Sequence, residues 1–225
     1  APLFGLRNIQ DFYVFNVRPG AAGWAMHRDR SGGASDGFTA ERLPRSTTVW
    51  LALTDATPQT SCIYCVPAHA DRHYASHAAA EEIASDILAL AHQHVTALPV
   101  VQGEVLAWSH RLLHWGSASP PEAPAARKAL AFTMASPGFE EPSIHTTAGR
   151  APPFEARLAL IAYSLVCYHH SQPVPPRVVP VVLTILRTRE YAQHLTAAAL
   201  GAACGGNGFE HNLRLAEESA RGERA

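Results

Sequence analysis

The chain has 225 residues, 47% of them hydrophobic and 16% charged, which is enough for one well-buried core, short for two, and too apolar for a disordered tail. Eighteen basic residues against nineteen acidic ones leave no net field to attract nucleic acid or an anionic membrane surface, and no apolar run reaches the roughly eighteen residues of a membrane span. Four cysteines are too few for a disulfide framework, and Cys62 and Cys65 lack a second pair to complete a zinc site, so free thiols in the cytoplasm or another reducing compartment are expected.

The N-terminal Ala-Pro-Leu-Phe-Gly has neither an initiator Met nor the charged start and apolar run of a signal peptide, and reads as processed, trimmed or partial. Asp11 to Val17 is rich in aromatic and β-branched residues and stops at Arg18-Pro19-Gly20, which predicts a strand ending in a turn. Ser31 to Ser46 lacks apolar periodicity and reads as a surface loop of the length used for active-site flaps. Thr47 to Thr54 and Ser61 to Val66 read as two strands joined through Asp55 to Thr60 as a hairpin or short crossover. His77 to Leu98 carries Ile83, Ile87, Leu88, Leu90 and Ala91 at helical spacing and predicts a helix.

Strand-like segments resume at Gly103 to Trp108, Leu112 to Gly116 and, past a Pro-rich turn at Pro120 to Pro124, Lys128 to Ala135. The first two thirds therefore predicts a β-rich core with one inserted helix. Phe154 to His169 and Pro180 to Leu200 are Ala- and Leu-rich and are separated by Pro173-Val174-Pro175-Pro176, which predicts two or three helices. The tail from Gly205 is expected to fray. The expected organisation is a core over 1–150 and a helical extension over 151–225, packed on that core.

His27 and Asp29 follow the first strand and its turn. In an extended chain residues i and i+2 share a face, so both side chains can converge on one ion. Among thirteen histidines a His-x-Asp is weak evidence alone, but a facial triad also needs a distant second His, leaving three coordination positions open. His110 and His114 are the candidates; in an extended segment they would lie roughly 13 Å apart, so only one can serve. If such a site takes 2-oxoglutarate, a cation must meet the far carboxylate, and an arginine presents the matching fork. Arg127 begins the strand after the Pro-rich turn, and antiparallel pairing across that turn would bring it beside His114, which favours His114 over His110.

The order His27-x-Asp29, Val49 to Asp55, Cys62 to Pro67, Gly103-Glu104-Val105-Leu106 leading into Leu113-His114, and then Arg127 resembles the phytanoyl-CoA dioxygenase family of Fe(II)/2-oxoglutarate-dependent oxygenases, over roughly Asn16 to Ala135. The resemblance implies a mainly β fold with flanking helices, built on a double-stranded β-helix of the jelly-roll, cupin-like type. It also implies an Fe(II) enzyme that consumes 2-oxoglutarate and O2, releases succinate and CO2, and hydroxylates a small organic substrate. Asn16-Val17-Arg18-Pro19-Gly20 looks like the strand before the metal motif in the ectoine hydroxylase branch, which implies a co-substrate contact for Asn16. Related halogenases carry a small residue where Asp29 stands, so Asp29 implies hydroxylation.

The chain departs from the pattern in three places. Only twenty-six residues precede His27, Pro67-Ala68-His69-Ala70 replaces the usual Pro-Gly-Ser-His, and Ser117-Ala118-Ser119-Pro120 replaces the Asn and Ser that follow the distal His. Two competing readings remain: a non-catalytic metal- or ligand-binding barrel of the same fold, and a cupin-type metal enzyme that does not use 2-oxoglutarate. His69, His73 and His77 would share one face if helical, but no further ligand completes a zinc site, and a solvated or packing role is expected. His169-His170 is expected to interact with a helix C-terminus. Trp24 and Trp108 flank the metal motifs and are expected to be core.

Overall fold

A computed structural model describes residues 7–29, 37–75, 89, 91–139, 142–144, 151–169, 173–197, 199, 203–204 and 207–221. The chain divides into two compact units, one of Ala1–Asn8 with Phe12–Glu140 and one of Ile9–Asp11 with Glu141–Ala225.

The first unit is two antiparallel sheets. Strands β1 (Arg7–Val17), β8 (Arg127–Ala135), β3 (Ser46–Ala52) and β6 (Val105–Ser109) form one in that order, and β2 (Trp24–His27), β7 (Leu113–Gly116), β4 (Ile63–Val66) and β5 (Thr96–Leu98) form the other. The chain alternates between sheets at every step except β4 to β5, which is jelly-roll connectivity. Residue alternation supplies the inner faces. On β1, Tyr13, Phe15 and Val17 are half-buried while Phe12, Val14 and Asn16 are exposed, and on β8 every second residue from Arg127 is buried. Trp50, Ala52, Trp108, Ala129 and Ala131 from one sheet pack against Ile63 of the other to close the core.

Of the two forms expected for the connection from β3 to β4, hairpin or short crossover, the structure has the crossover, between sheets. Other expectations change. The helix expected over 77–98 ends early. Residues 91–94 are helical, but Thr96–Leu98 pairs with β4, because Val95 and Thr96 favour extended backbone and Pro99 bars Leu98 from the helical region. Residues 76–88 and 90 lie outside the described residues, as do 31–36 of the expected flap. Within the remainder of that loop, Phe38 bridges Pro44.

The second unit contains α1 (Phe154–Cys167), α2 (Val179–Arg187), the single turn α3 (Arg189–Ala192), a two-residue hairpin β9 (Ala203–Cys204) and β10 (Asn207–Gly208), and α4 (Phe209–Ala220). Its core gathers Ala156, Ala159, Tyr163, Val166, Val179, Val182 and Phe209. Within the helical stretch expected from Pro180 to Leu200 the chain breaks at Thr188, which is extended while its hydroxyl donates to the Thr184 carbonyl. The tail expected to fray is instead α4, because Phe209, Asn212 and Ala216 recur at helical spacing and are all buried. Cys62 and Cys65 are free and buried. Cys167 is disulfide-bonded, contrary to the expectation of free thiols throughout, so the argument from cysteines to a reducing compartment loses its support. Among the described residues no helix is long and apolar enough to cross a membrane.

Candidate metal centre

His27 on β2 stands directly opposite His114 on β7, and their ring centroids are 4.4 Å apart. Each ring donates Nδ1–H to the carbonyl two residues earlier, His27 to Ala25 at 2.7 Å and His114 to Leu112 at 2.9 Å. A carbonyl can only accept, so both rings carry a proton on Nδ1, which leaves Nε2 as the nitrogen a metal would take. Those two Nε2 atoms lie 3.3 and 3.5 Å from Asp29 Oδ1. One ligand atom from each of the three residues falls within 4.8 Å of the others. Two imidazole nitrogens and one carboxylate oxygen are the donor set of a 2-His-1-carboxylate iron site, and the group fits that metal.

The residue between the ligands faces the other way. Arg28 pairs with the fully buried Asp71 at 2.7 Å and donates to the Arg111 carbonyl, while Asp71 Oδ1 accepts the His73 N–H at 2.9 Å. His69 and His73 lie in turns and do not share a helical face; His77 lies outside the described residues.

The other oxygen of Asp29 is also engaged. Its Oδ2 accepts the Thr48 hydroxyl at 2.5 Å and the Trp108 indole N–H at 3.0 Å. Thr48 and Trp108 are cross-strand partners on β3 and β6, so both side chains reach inward from one place. Burial alone would push the Asp29 carboxyl up, but the hydrogen bond from His27, the charge of His114 and the Thr48 hydroxyl outweigh it and hold the group at about 2. Burial likewise pushes His27 down, yet Asp29 and the Ala25 carbonyl reverse the balance and its pKa is raised. For His114 burial prevails and the pKa is lowered. Trp108 was expected to be ordinary core; neither its contact nor that of Thr48 has a local sequence signal, because both depend on which strands become neighbours.

His110 does not join the group. The chain turns at His110 and Arg111, so no single extended strand carries both histidines. The buried His110 ring donates toward Ser46 O at 3.0 Å and lies against Phe38 and Phe139.

Arg127 enters the interior by a different route from the expected one. β8 does not pair with β7; it pairs with β1 and β3, with Arg127 opposite Val17. The guanidinium crosses from one sheet to the other, where Nε donates to Ser61 O at 2.9 Å and Nη2 to Ser61 Oγ at 3.4 Å. Ser61 holds its carbonyl there with a backbone φ of 72°, a conformation uncommon for a non-glycine residue. Arg127 is 2% exposed, lies over the rings of Trp50 and Phe15, and leaves Nη1 buried without a hydrogen-bond partner. Burial lowers its pKa to about 10, which still leaves it charged at neutral pH. Asn16 is not brought to this interior: it pairs with Lys128, and both side chains are exposed on the outer face.

Comparison with curated protein sequences gives no match. Among solved structures, the chain is similar to EvdMO1 (22% identity, 56% of this chain and 27% of that one, TM-score 0.44). It is also similar to the non-heme alpha ketoglutarate dependent carbocyclase SnoK from nogalamycin biosynthesis (20%, 59% and 51%, 0.45). A third similarity is to apo HygX from Streptomyces hygroscopicus (17%, 65% and 64%, 0.44). The chain thus spans about half or less of the first two. Residues 2–123, more than half of this chain, match the sequence profile of the family described as Phytanoyl-CoA dioxygenase (PhyH), and the chain belongs to the phytanoyl-CoA dioxygenase family.

Proposed function

We propose that the chain is an Fe(II)- and 2-oxoglutarate-dependent dioxygenase that uses O2 to hydroxylate a small organic substrate, with release of succinate and CO2. The observation that carries this reading is the convergence of His27 Nε2, His114 Nε2 and Asp29 Oδ1, with both imidazoles oriented by a hydrogen bond from Nδ1 to a backbone carbonyl. Iron(II) in that position would supply the redox chemistry that couples O2 reduction to decarboxylation of the 2-oxo acid and oxidation of a C–H bond.

The chain's own residues account for the rest of the assignment. Among the described residues Arg127 is a buried cation with no carboxylate partner and with Nη1 unbonded, and a buried guanidinium without a counter-ion costs free energy that an incoming carboxylate would offset. That supports a dianionic co-substrate, with one carboxylate for the metal and one for Arg127. Gly116, two residues past His114, supports the same arrangement. A Cβ there would stand 3.2 Å from Arg127 Nη2, so a side chain would force the guanidinium to shift by a small amount. Asp29 occupies the place a halide would need, which favours hydroxylation over halogenation.

The test is turnover of 2-oxoglutarate by the purified protein with Fe(II) and O2, read as succinate. Binding of both Fe(II) and 2-oxoglutarate with no succinate across a substrate screen would favour the non-catalytic barrel. Metal-dependent oxidation without consumption of 2-oxoglutarate would favour the cupin-type alternative.

A further inference from the structure

We propose that Trp108 and Thr48 are positioning residues that hold Asp29 by its Oδ2, so that the carboxylate can meet a metal ion through Oδ1 only. The inference rests on the metal-centre reading above and concerns what keeps that centre open.

A carboxylate has two oxygens and can chelate one ion with both. A chelating aspartate would fill two positions of an octahedral ion, leaving two for a bidentate co-substrate and none for O2. The 2-His-1-carboxylate arrangement works only if the carboxylate takes one position. In this chain the second oxygen accepts two hydrogen bonds at 2.5 and 3.0 Å, both from donors that are 8% exposed and therefore held by packing. Two donors on one charged acceptor are charge-assisted, the stronger class of hydrogen bond. Their geometry is set by the sheet: Thr48 pairs with Trp108, and Trp108 also packs against the His114 ring at 4.8 Å. One indole thus fixes the orientation of one ligand by a hydrogen bond and restricts a second by contact.

Trp108→Phe keeps a ring and removes the N–H; Thr48→Val keeps the shape and removes the hydroxyl. Both should leave the fold intact, and Trp115→Phe, whose ring stacks on Tyr64 and packs against the cluster of Val66, Ala91 and Leu113, serves as the control. The readout is Co(II) in place of iron, because its visible absorption reports coordination number, followed by anaerobic titration with 2-oxoglutarate. In the double variant the Co(II) spectrum should shift toward higher protein coordination, and 2-oxoglutarate affinity should fall roughly tenfold while Co(II) affinity changes less. Trp108→His, with a ring N–H in nearly the same place, should restore part of that loss.

An unchanged spectrum and unchanged 2-oxoglutarate affinity in the double variant would overturn the positioning role. So would a parallel fall in Co(II) affinity and thermal midpoint with no spectral change, which would mark the two residues as structural only. Failure of the unmodified protein to bind Co(II) would instead overturn the metal reading and this inference with it.

Discussion

Under the proposed function, Arg127 would serve co-substrate binding at a cost in stability. Its charge is buried without a carboxylate partner among the described residues, a placement that destabilises the empty protein and is offset only when an anion arrives. Arg127→Met should therefore raise the thermal midpoint of the ligand-free protein, by about 1–3 kcal/mol of stability, while weakening 2-oxoglutarate binding by about 3–5 kcal/mol. Differential scanning fluorimetry and an anaerobic 2-oxoglutarate titration read the two effects separately. Lys128→Ala should change neither, since that side chain is exposed on the outer face. Loss of co-substrate affinity in Lys128→Ala with retention in Arg127→Met would contradict the register of β8. The His27 imidazole supplies a pH dependence. Its raised pKa in the metal-free protein means that a proton competes with the metal, and the protonated form prevails as pH falls through that pKa. Metal affinity should fall by about tenfold per pH unit below it. His114, whose pKa is lowered, stays neutral and adds no such loss near pH 7. A Co(II) competition titration between about pH 6 and 8 checks the sign; affinity that rises as pH falls would contradict it.

At the scale of elements, the metal site depends on the pairing of two four-residue strands. A Cβ on Gly23 would stand 1.9 Å from the Gly116 carbonyl oxygen, so Gly23 is where the start of β2 closes against the end of β7. Gly23→Ala must push backbone apart, which costs at least about 1–3 kcal/mol. It should lower the thermal midpoint and Co(II) affinity together, because His27 and His114 are opposed through that same pairing. Gly116→Ala meets only the end of Arg127 at 3.2 Å; Co(II) affinity should hold while 2-oxoglutarate affinity falls. If the two variants behave alike, metal and co-substrate positions are not separable in the way the register implies. The strands themselves were legible where alternation is regular, as in Asp11 to Val17 and Lys128 to Ala135. They were not legible at Thr96–Leu98, where three residues follow a helical turn with no alternation to betray them, and where pairing with Ile63–Cys65 decides the conformation.

At the scale of the whole molecule, the two compact units have separate cores, and the disulfide at Cys167 belongs to the helical one. Reduction should lower the thermal midpoint of that unit, a native disulfide being worth typically about 2–4 kcal/mol, and leave Co(II) affinity unchanged. A loss of Co(II) affinity on reduction would show that the site depends on the helices. The amino-acid sequence by itself offered His27 and Asp29 as one candidate pair, because residues i and i+2 on extended backbone share a face, and that geometry is local. It also offered Arg127 as the cation, but through a pairing of its strand with that of His114 that the structure does not contain. Tertiary structure decided how these residues meet. Arg127 enters the interior from a different sheet from the two histidines, Trp108 and Thr48 converge on Asp29 because β3 and β6 are neighbours, and Asn16 is turned outward by the register of β1 on β8. Strand order and register are set by which faces bury together across long loops, and no spacing within one segment records that.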